Sequence, residues 1–574
     1  MARQSNDPAQ FLNNLFESGQ DLMRQFAQMG ASGTANPARE RATETKADPA
    51  TDFIAASRKL AEMQQGFGKQ MTDYMTGILG VAASARDEDK RFSAEAWDSD
   101  PRFDFLKRTY IAYSGFLKNA VETAPMDDKG KVQLRFAVGQ FIDAMSPTNF
   151  LATNPEALQL AQESGGQSLV EGMNLYFQDL AKGRISMSDE SAFEVGRNVA
   201  ATEGEVVFEN ELIQLIQYTP NTAQVYERPL VMIPPCINRF YVLDLQQENS
   251  FVRYAVDQGH TVFLVSWRSI TPELGHLTWD DYITTGVIKA FDVAREITGV
   301  EKVNTLGFCI GGTLLSSTLA VLAGKAEQKA TSMTLLTTLL DFTDTGELGN
   351  LVSEESVKAR EETLGRGGVV EGKELALVFS MLRANDLIWQ YVANSYLKGK
   401  SPPAFDMLYW NADSTNLPGP MYCWFMRNAY LENNIKEPGK TIQCGVPVDL
   451  GKISLPAFLY ASREDHIVPW GSAYAATQLL TGDNTFALGA SGHIAGVINA
   501  PAKKKRNYWI GGKLDRDAAG WLETAQSIPG SWWPAWSEWL ERHAGGKVPA
   551  RTPLGNKKYR PVEPAPGRYV RQKA

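Results

Sequence analysis

Val303-Asn304-Thr305-Leu306-Gly307-Phe308-Cys309-Ile310-Gly311-Gly312 is the stretch on which the reading of this chain turns. An apolar, β-branched run ends at a cysteine flanked by glycines, and the small and apolar TLLSSTLAVLA (313–323) follows at once. Strand, sharp turn and helix in that order form the context of a nucleophile elbow, G-x-S-x-G, with cysteine in place of serine. The glycines are needed because the nucleophile sits at a strained turn where neighbouring side chains would clash. The helix N-terminus beyond it favours a thiolate. A structural cysteine between packing glycines fits the same letters, so the surrounding pattern has to decide.

Outward from the elbow, short runs rich in β-branched and aromatic residues recur: EVVF (205–208), LIQLIQY (212–218), PLVMIPP (229–235), TVFLVSW (261–267), KVNTLGF (302–308), MTLLTTLL (333–340), PAFLYA (456–461) and TFAL (485–488). Helical stretches separate most of them. Continuous apolar strands interleaved with helices predict an α/β fold with a mainly parallel sheet covered on both faces. The interval 341–453 interrupts the rhythm with a long Trp- and Tyr-containing stretch, which reads as a cap inserted over the ligand-binding edge. Before residue 200 the pattern is helical. Leu12, Leu15, Phe16, Leu22, Met23 and Phe26 outline an amphipathic helix, and Leu60, Met63, Phe67, Met71, Tyr74, Met75 and Ile78 resume helical spacing. Residues 31–51 lack large apolar side chains and read as a linker. The expected division is 1–51 helix and disordered linker, 52–200 α-helical domain, 201–550 catalytic domain with the cap, and 551–574 a basic tail. That tail carries seven Arg or Lys against one Glu and reads as a solvated end. Trp532, Trp533, Trp536 and Trp539 read as core packing rather than a ligand platform.

An elbow nucleophile needs a base, and the chain has only five histidines. In the chain order of such enzymes an acid follows a later strand and histidine sits on the last loop. Asp465, in SREDHIVP (462–469), and His493, in LGASGH (488–493), satisfy that order. Glu464 is the alternative acid and His466 the alternative base; His260 reads as a turn residue, and His276 and His543 lack a carboxylate in a suitable loop. Sulfur also tilts the chemistry: an acyl-cysteine is a thioester, so exchange with an acyl thioester is nearly isoenergetic and keeps the acyl group activated for transfer. Cys236, Cys309, Cys423 and Cys444 are too few and scattered for a disulfide framework, which points to a reducing, cytosolic compartment. With 57 basic and 66 acidic side chains and a net charge of -9, no global attraction to nucleic acid or anionic lipid is expected. Neither a secretory signal nor a membrane span is read, and no zinc-ligand spacing or phosphate loop suggests a metal or cofactor.

SPTNFLATNPE (146–156), PPCINRFYVLDL (234–245), GFCIGG (307–312), LLTTLLDFTDTGELG (335–349), YWNADSTNLPGPMYCW (409–424), SREDHIVPW (462–470), LGASGHIAGVINAPAKKKR (488–506) and EPAPGRYV (563–570) occur in one order. In these motifs the sequence closely resembles class I poly(3-hydroxyalkanoate) synthases, from about residue 97 onward. The resemblance implies an α/β-hydrolase core with a cap behind an α-helical N-terminal domain, and a Cys-His-Asp triad on Cys309, His493 and Asp465. Ser269, where the family usually has Asn, and Ala500, where Pro is usual, are departures that do not touch the triad.

The activity so implied is polymerisation of (R)-3-hydroxyacyl-CoA, of short acyl chain, into polyester with release of CoA. The oxyanion would be met by the backbone N–H groups of Ile310 and Ile237, and Arg383 is a candidate for the CoA phosphates. The resemblance further implies no cofactor, a homodimer, and a cytoplasmic protein that gathers on polyester granules and meets phasins there. Two other function classes stand beside it: a cysteine thioesterase or polyester hydrolase with the same triad, and a noncatalytic granule-coating protein using its amphipathic N-terminal helices.

Overall fold

The computed structural model describes residues 89–514 and 517–574. The expected helices around 12–26 and 60–78 and the linker at 31–51 lie outside the described residues. The chain divides into two compact units, one running up to Met187 and including Phe379–Pro403, the other made of Ser188–Val378 and Ala404–Ala574.

The first unit is helical, with α1 (Pro101–Thr123), α2 (Asp128–Ala144), α3 (Pro155–Glu163) and α4 (Gln167–Lys182). Its starts are legible: Asp100 accepts from the Arg102 N–H at 2.9 Å before Pro101, and Asn154 from the Ala157 N–H at 3.0 Å before Pro155. Both use a side-chain cap followed by a proline whose missing N–H costs the helix nothing. Segment 379–403 belongs to this unit rather than to one continuous cap. A Cβ on Gly172 would lie 2.0 Å from the Tyr396 carbonyl, so only glycine lets α4 approach that segment. Tyr396 donates its hydroxyl to Asp179 at 2.7 Å, and Lys398 pairs with Glu156 at 2.7 Å.

The second unit is built on an eleven-stranded sheet. In chain order its strands are β1 (Gly204–Glu209), β2 (Ile213–Tyr218), β3 (Leu230–Ile233), β4 (Val262–Trp267), β5 (Val303–Phe308), β6 (Ala330–Leu336), β7 (Ala457–Ser462), β8 (Asn484–Gly489), β9 (Asn507–Ile510), β10 (Gln526–Pro529) and β11 (Glu563–Pro564). The spatial order is β10-β9-β8-β7-β6-β5-β3-β4-β2-β1-β11. Strands β8, β7, β6, β5, β3 and β4 pair in parallel, and the flanking pairs are antiparallel. Every residue of β3, β4, β5 and β7 is buried, as the continuous apolar runs predicted. Helices α5 (Phe251–Asp257), α6 (Lys289–Thr298), α7 (Ile310–Gly324), α8 (Trp470–Leu479), α9 (His493–Val497) and α10 (Trp533–Glu541) complete the parts used below. The run 333–340 was expected to be one strand, but β6 stops at Leu336 because Thr337 turns at φ 40°.

The basic tail departs from the expected solvated end. It supplies β11, and the Val562 and Ala565 N–H groups donate to Val206 O at 2.7 Å and Gly204 O at 2.9 Å. Its charges are matched locally: Lys558 with Glu296 at 2.6 Å, Arg568 with Glu563 at 2.8 Å and with Glu209. Tyr569 is buried and donates its hydroxyl to Asn210 O at 2.7 Å. The four tryptophans pack in the core with Phe251, Phe458 and Tyr460.

His260 is 1% exposed and stacked on Tyr226 at 4.8 Å, and neither ring nitrogen has a hydrogen-bond partner among the described residues. Burial lowers its pKa to about 4, with Glu541 opposing and Lys547 assisting. A depressed folded-state pKa means that stability is fully present above about pH 6.5 and is lost as pH falls toward 4. The expected result is that His260→Phe flattens the acid limb of a Tm-against-pH curve, the wild type losing on the order of 2–3 kcal/mol more than the variant over that interval.

Candidate active site

Cys309 directly follows β5 and stands directly before α7, with φ 53° and ψ -127°. That backbone is strained for a residue with a Cβ, and nearby Gly311 and Gly312 leave the room that the tight turn needs. A Cβ on Gly311 would meet Ile233 O at 2.3 Å and Pro234 O at 2.6 Å; one on Gly312 would meet Thr338 Oγ1 at 2.0 Å. The elbow therefore lies against the loop that follows β3 on one side and the loop that follows β6 on the other. The Cys309 N–H donates to Leu336 O at 2.9 Å, and the residue is partly exposed.

Asp465 follows β7 and His493 opens α9 after β8, so with Cys309 after β5 they lie beyond the ends of three parallel strands, where such folds bind ligands. His493 Nδ1 lies 2.6 Å from Asp465 Oδ2, and both residues are buried. The other carboxylate oxygen accepts the N–H groups of Ile467 and Val468, each at 2.9 Å. Two backbone donors and one imidazole leave Asp465 little freedom to rotate. Burial disfavours the His493 imidazolium, but the charges of Asp465 and Cys309 outweigh it and raise the pKa to about 10, with hydrogen bonds to both side chains adding to the shift. His493 is thus paired with the Asp465 carboxylate, with Cys309 near enough to influence its charge. Glu464 is exposed, which leaves Asp465 as the acid on His493. His276 is exposed with Nδ1 at Glu273 O, and His543 packs on Trp539 at 4.7 Å.

The tryptophans hold the histidine in place. Trp532 and Trp533 donate their indole N–H groups to Gly496 O at 3.1 Å and Val497 O at 2.8 Å, both on α9. Phe308 stacks on the His493 ring at 5.7 Å. The spacing of the Trp residues signalled packing; that the packing anchors the short helix bearing His493 had no signal in the sequence.

The family described as Poly-beta-hydroxybutyrate polymerase (PhaC) N-terminus matches residues 88–255, and the alpha/beta hydrolase fold matches 229–500. Poly(3-hydroxyalkanoate) polymerase subunit PhaC of Cupriavidus necator is 52% identical over 92% of this chain and 91% of its own. The PhaC subunit of Rhizobium meliloti is 38% identical over 96% and 95%, and the polymerase of Methylorubrum extorquens 42% identical over 85% and 81%. The chain belongs to the poly(3-hydroxyalkanoate) polymerase family. Membership in this family of acyltransferases agrees with a buried Asp-His pair set beside a cysteine on an α/β-hydrolase sheet.

In this member of the polymerase family Ile310 opens α7, where first-turn N–H groups have no helical partner, and Ile237 lies on the loop after β3. Neither N–H is taken by a protein acceptor among the described residues. Arg383 lies in the first unit, half exposed, and pairs with Asp386 three residues on. Among the described residues no group of three or more His, Cys, Asp or Glu is placed to hold a metal ion, and no helix is long and apolar enough to cross a membrane. Gly311→Ala is expected to lower stability by about 1–3 kcal/mol or more in a denaturant titration, because the atoms its Cβ meets are backbone carbonyls that cannot swing aside.

Proposed function

We propose that the protein polymerises (R)-3-hydroxyacyl-CoA of short acyl chain, releasing CoA, with Cys309 as nucleophile, His493 as general base and Asp465 as the group that orients the imidazole. The observation that carries this reading is the buried His493–Asp465 pair, bonded through Nδ1 at 2.6 Å, at the same sheet edge as Cys309. His493 accepts the Cys309 proton, and sulfur attacks the thioester carbonyl. The Ile310 and Ile237 N–H groups receive the oxyanion. The carbon–sulfur bond to CoA breaks, and His493 returns the proton to the departing thiolate. A second hydroxyacyl unit then gives its hydroxyl proton to His493 as its oxygen attacks an acyl thioester. One ester bond forms, one thioester bond breaks, and the chain grows.

Water must be kept from the acyl-cysteine for the chain to survive. Tyr430, half-buried on the inserted segment, supports such exclusion through its aromatic packing. Its ring packs edge-on against Phe342 at 5.1 Å and Phe425 at 5.6 Å. Dimer formation, residence on granules in the cytoplasm and contact with phasins belong to the same reading, on the strength of the family.

The test is (R)-3-hydroxybutyryl-CoA with purified protein, following thiol release and product mass together. High-mass polyester with thiol release is the expected outcome; free hydroxy acid alone would transfer the same triad to a hydrolase. Cys309→Ala is expected to take thiol release to background while unfolding at the wild-type midpoint. Asp465→Asn, which removes the charge that favours imidazolium, is expected to lower kcat by about 10⁴ with folding retained.

A further inference from the structure

The loop Pro234–Arg239, which carries Ile237, is held by its carbonyl oxygens. Trp267 Nε1–H donates to Pro234 O at 2.9 Å, and Trp410 Nε1–H donates to Arg239 O at 2.7 Å. Between them, the Thr415 hydroxyl lies 2.6 Å from both Cys236 O and Ile237 O, and the Thr415 N–H donates to Ile237 O at 2.9 Å. Thr415 is 1% exposed.

The Cys236 carbonyl and the Ile237 N–H belong to one planar trans peptide and point in opposite directions. Holding the oxygen therefore aims the hydrogen. The Ile237 N–H has no acceptor among the described residues, so the peptide is fixed from one side and left open on the other. Thr415 is itself fixed through its neighbour. The Asn416 N–H donates to Ser269 Oγ at 3.2 Å, Asn416 Oδ1 accepts the Gly372 N–H at 2.8 Å, and the Ile270 N–H donates to Asn416 O at 3.2 Å. Ser269 is one of the two positions that depart from the family's usual residue, and here its hydroxyl serves as an acceptor in this brace.

We propose that Thr415 is a positioning residue for acyl transfer: its hydroxyl orients the Cys236–Ile237 peptide so that the Ile237 N–H meets the oxyanion. The proposal rests on the reading of Ile237 given above. Thr415 touches no reacting atom; it acts through the peptide it holds. Because it lies in the insertion between β6 and β7, the oxyanion site is complete only when that insertion is folded against the loop after β3.

Thr415→Val keeps the shape and removes the hydroxyl, and Thr415→Ser restores it. Two rates are read on full-length protein: turnover of (R)-3-hydroxybutyryl-CoA, and alkylation of Cys309 by iodoacetamide, which needs the thiolate but no oxyanion donor. Thr415→Val is expected to lower kcat about 10- to 100-fold, less than deletion of a donor outright. KM and the alkylation rate should stay within twofold, and Thr415→Ser should turn over near the wild-type rate. Turnover of Thr415→Val within twofold of wild type would overturn the proposal. Equal loss of turnover and alkylation would do so too, since that means collapse of the site. Should Thr415→Val not fold, Ser269→Ala, which frees the Asn416 N–H, is read the same way: a smaller fall in kcat at constant alkylation supports the brace, and an unchanged kcat overturns it. Absence of thiol release from the wild type would instead remove the acyl-transfer reading itself.

Discussion

A single backbone conformation organises this protein: Cys309 held at φ 53° between a strand and a helix. A non-glycine residue in so sparsely populated a region costs on the order of 1–3 kcal/mol, and it persists only where the surroundings over-determine it. Here they do. β5 is buried along its whole length, α7 is buried over most of its length, and Gly311 and Gly312 bring the helix start against the loops after β3 and β6. The same close approach brings the loop that leads to Ile237 beside the first turn of α7.

The second constraint is electrostatic. A buried imidazole flanked by a carboxylate and a thiol settles as a charged network only if each member is held, because unpaired buried charge is costly. Asp465 is held by two backbone N–H groups and His493 by Asp465, while the indoles of Trp532 and Trp533 hold the helix on which His493 stands. A fixed network of this kind suits acyl transfer, because groups already held in place need no reorganisation as charge develops.

Much of this was legible in the chain. All eight strand-like runs fall on sheet strands, because parallel strands covered on both faces must be apolar throughout and so stand out against amphipathic helices. The candidate triad was legible because an elbow demands glycine at set positions and only five histidines competed for the base. Strands β9, β10 and β11 were not legible: they are short, lie toward the sheet edges and carry polar residues. The tail misled for a related reason. Its charge reads as solvation when partners are unknown, yet Lys558 meets Glu296 and Arg568 meets Glu209 on the folded unit, beside the tail's own Glu563. Likewise nothing in the spacing marks 379–403 as part of the helical unit, since that assignment rests on long-range packing against helices more than 200 positions earlier in the chain.

What the sequence by itself determined is the local chemistry: an elbow with cysteine at its tip, an acid and a base on later loops in the right order, and a parallel sheet to carry them. These follow from short-range rules of sterics and burial that a linear pattern records. What only the tertiary structure decided is which distant groups hold these side chains and the loop beside them. Thr415 meets the Cys236 carbonyl across 179 positions of chain, and Trp533 meets Val497 across 36. Such contacts leave no periodic trace, because a hydrogen bond depends on where two chain segments lie in space and not on their distance along the sequence.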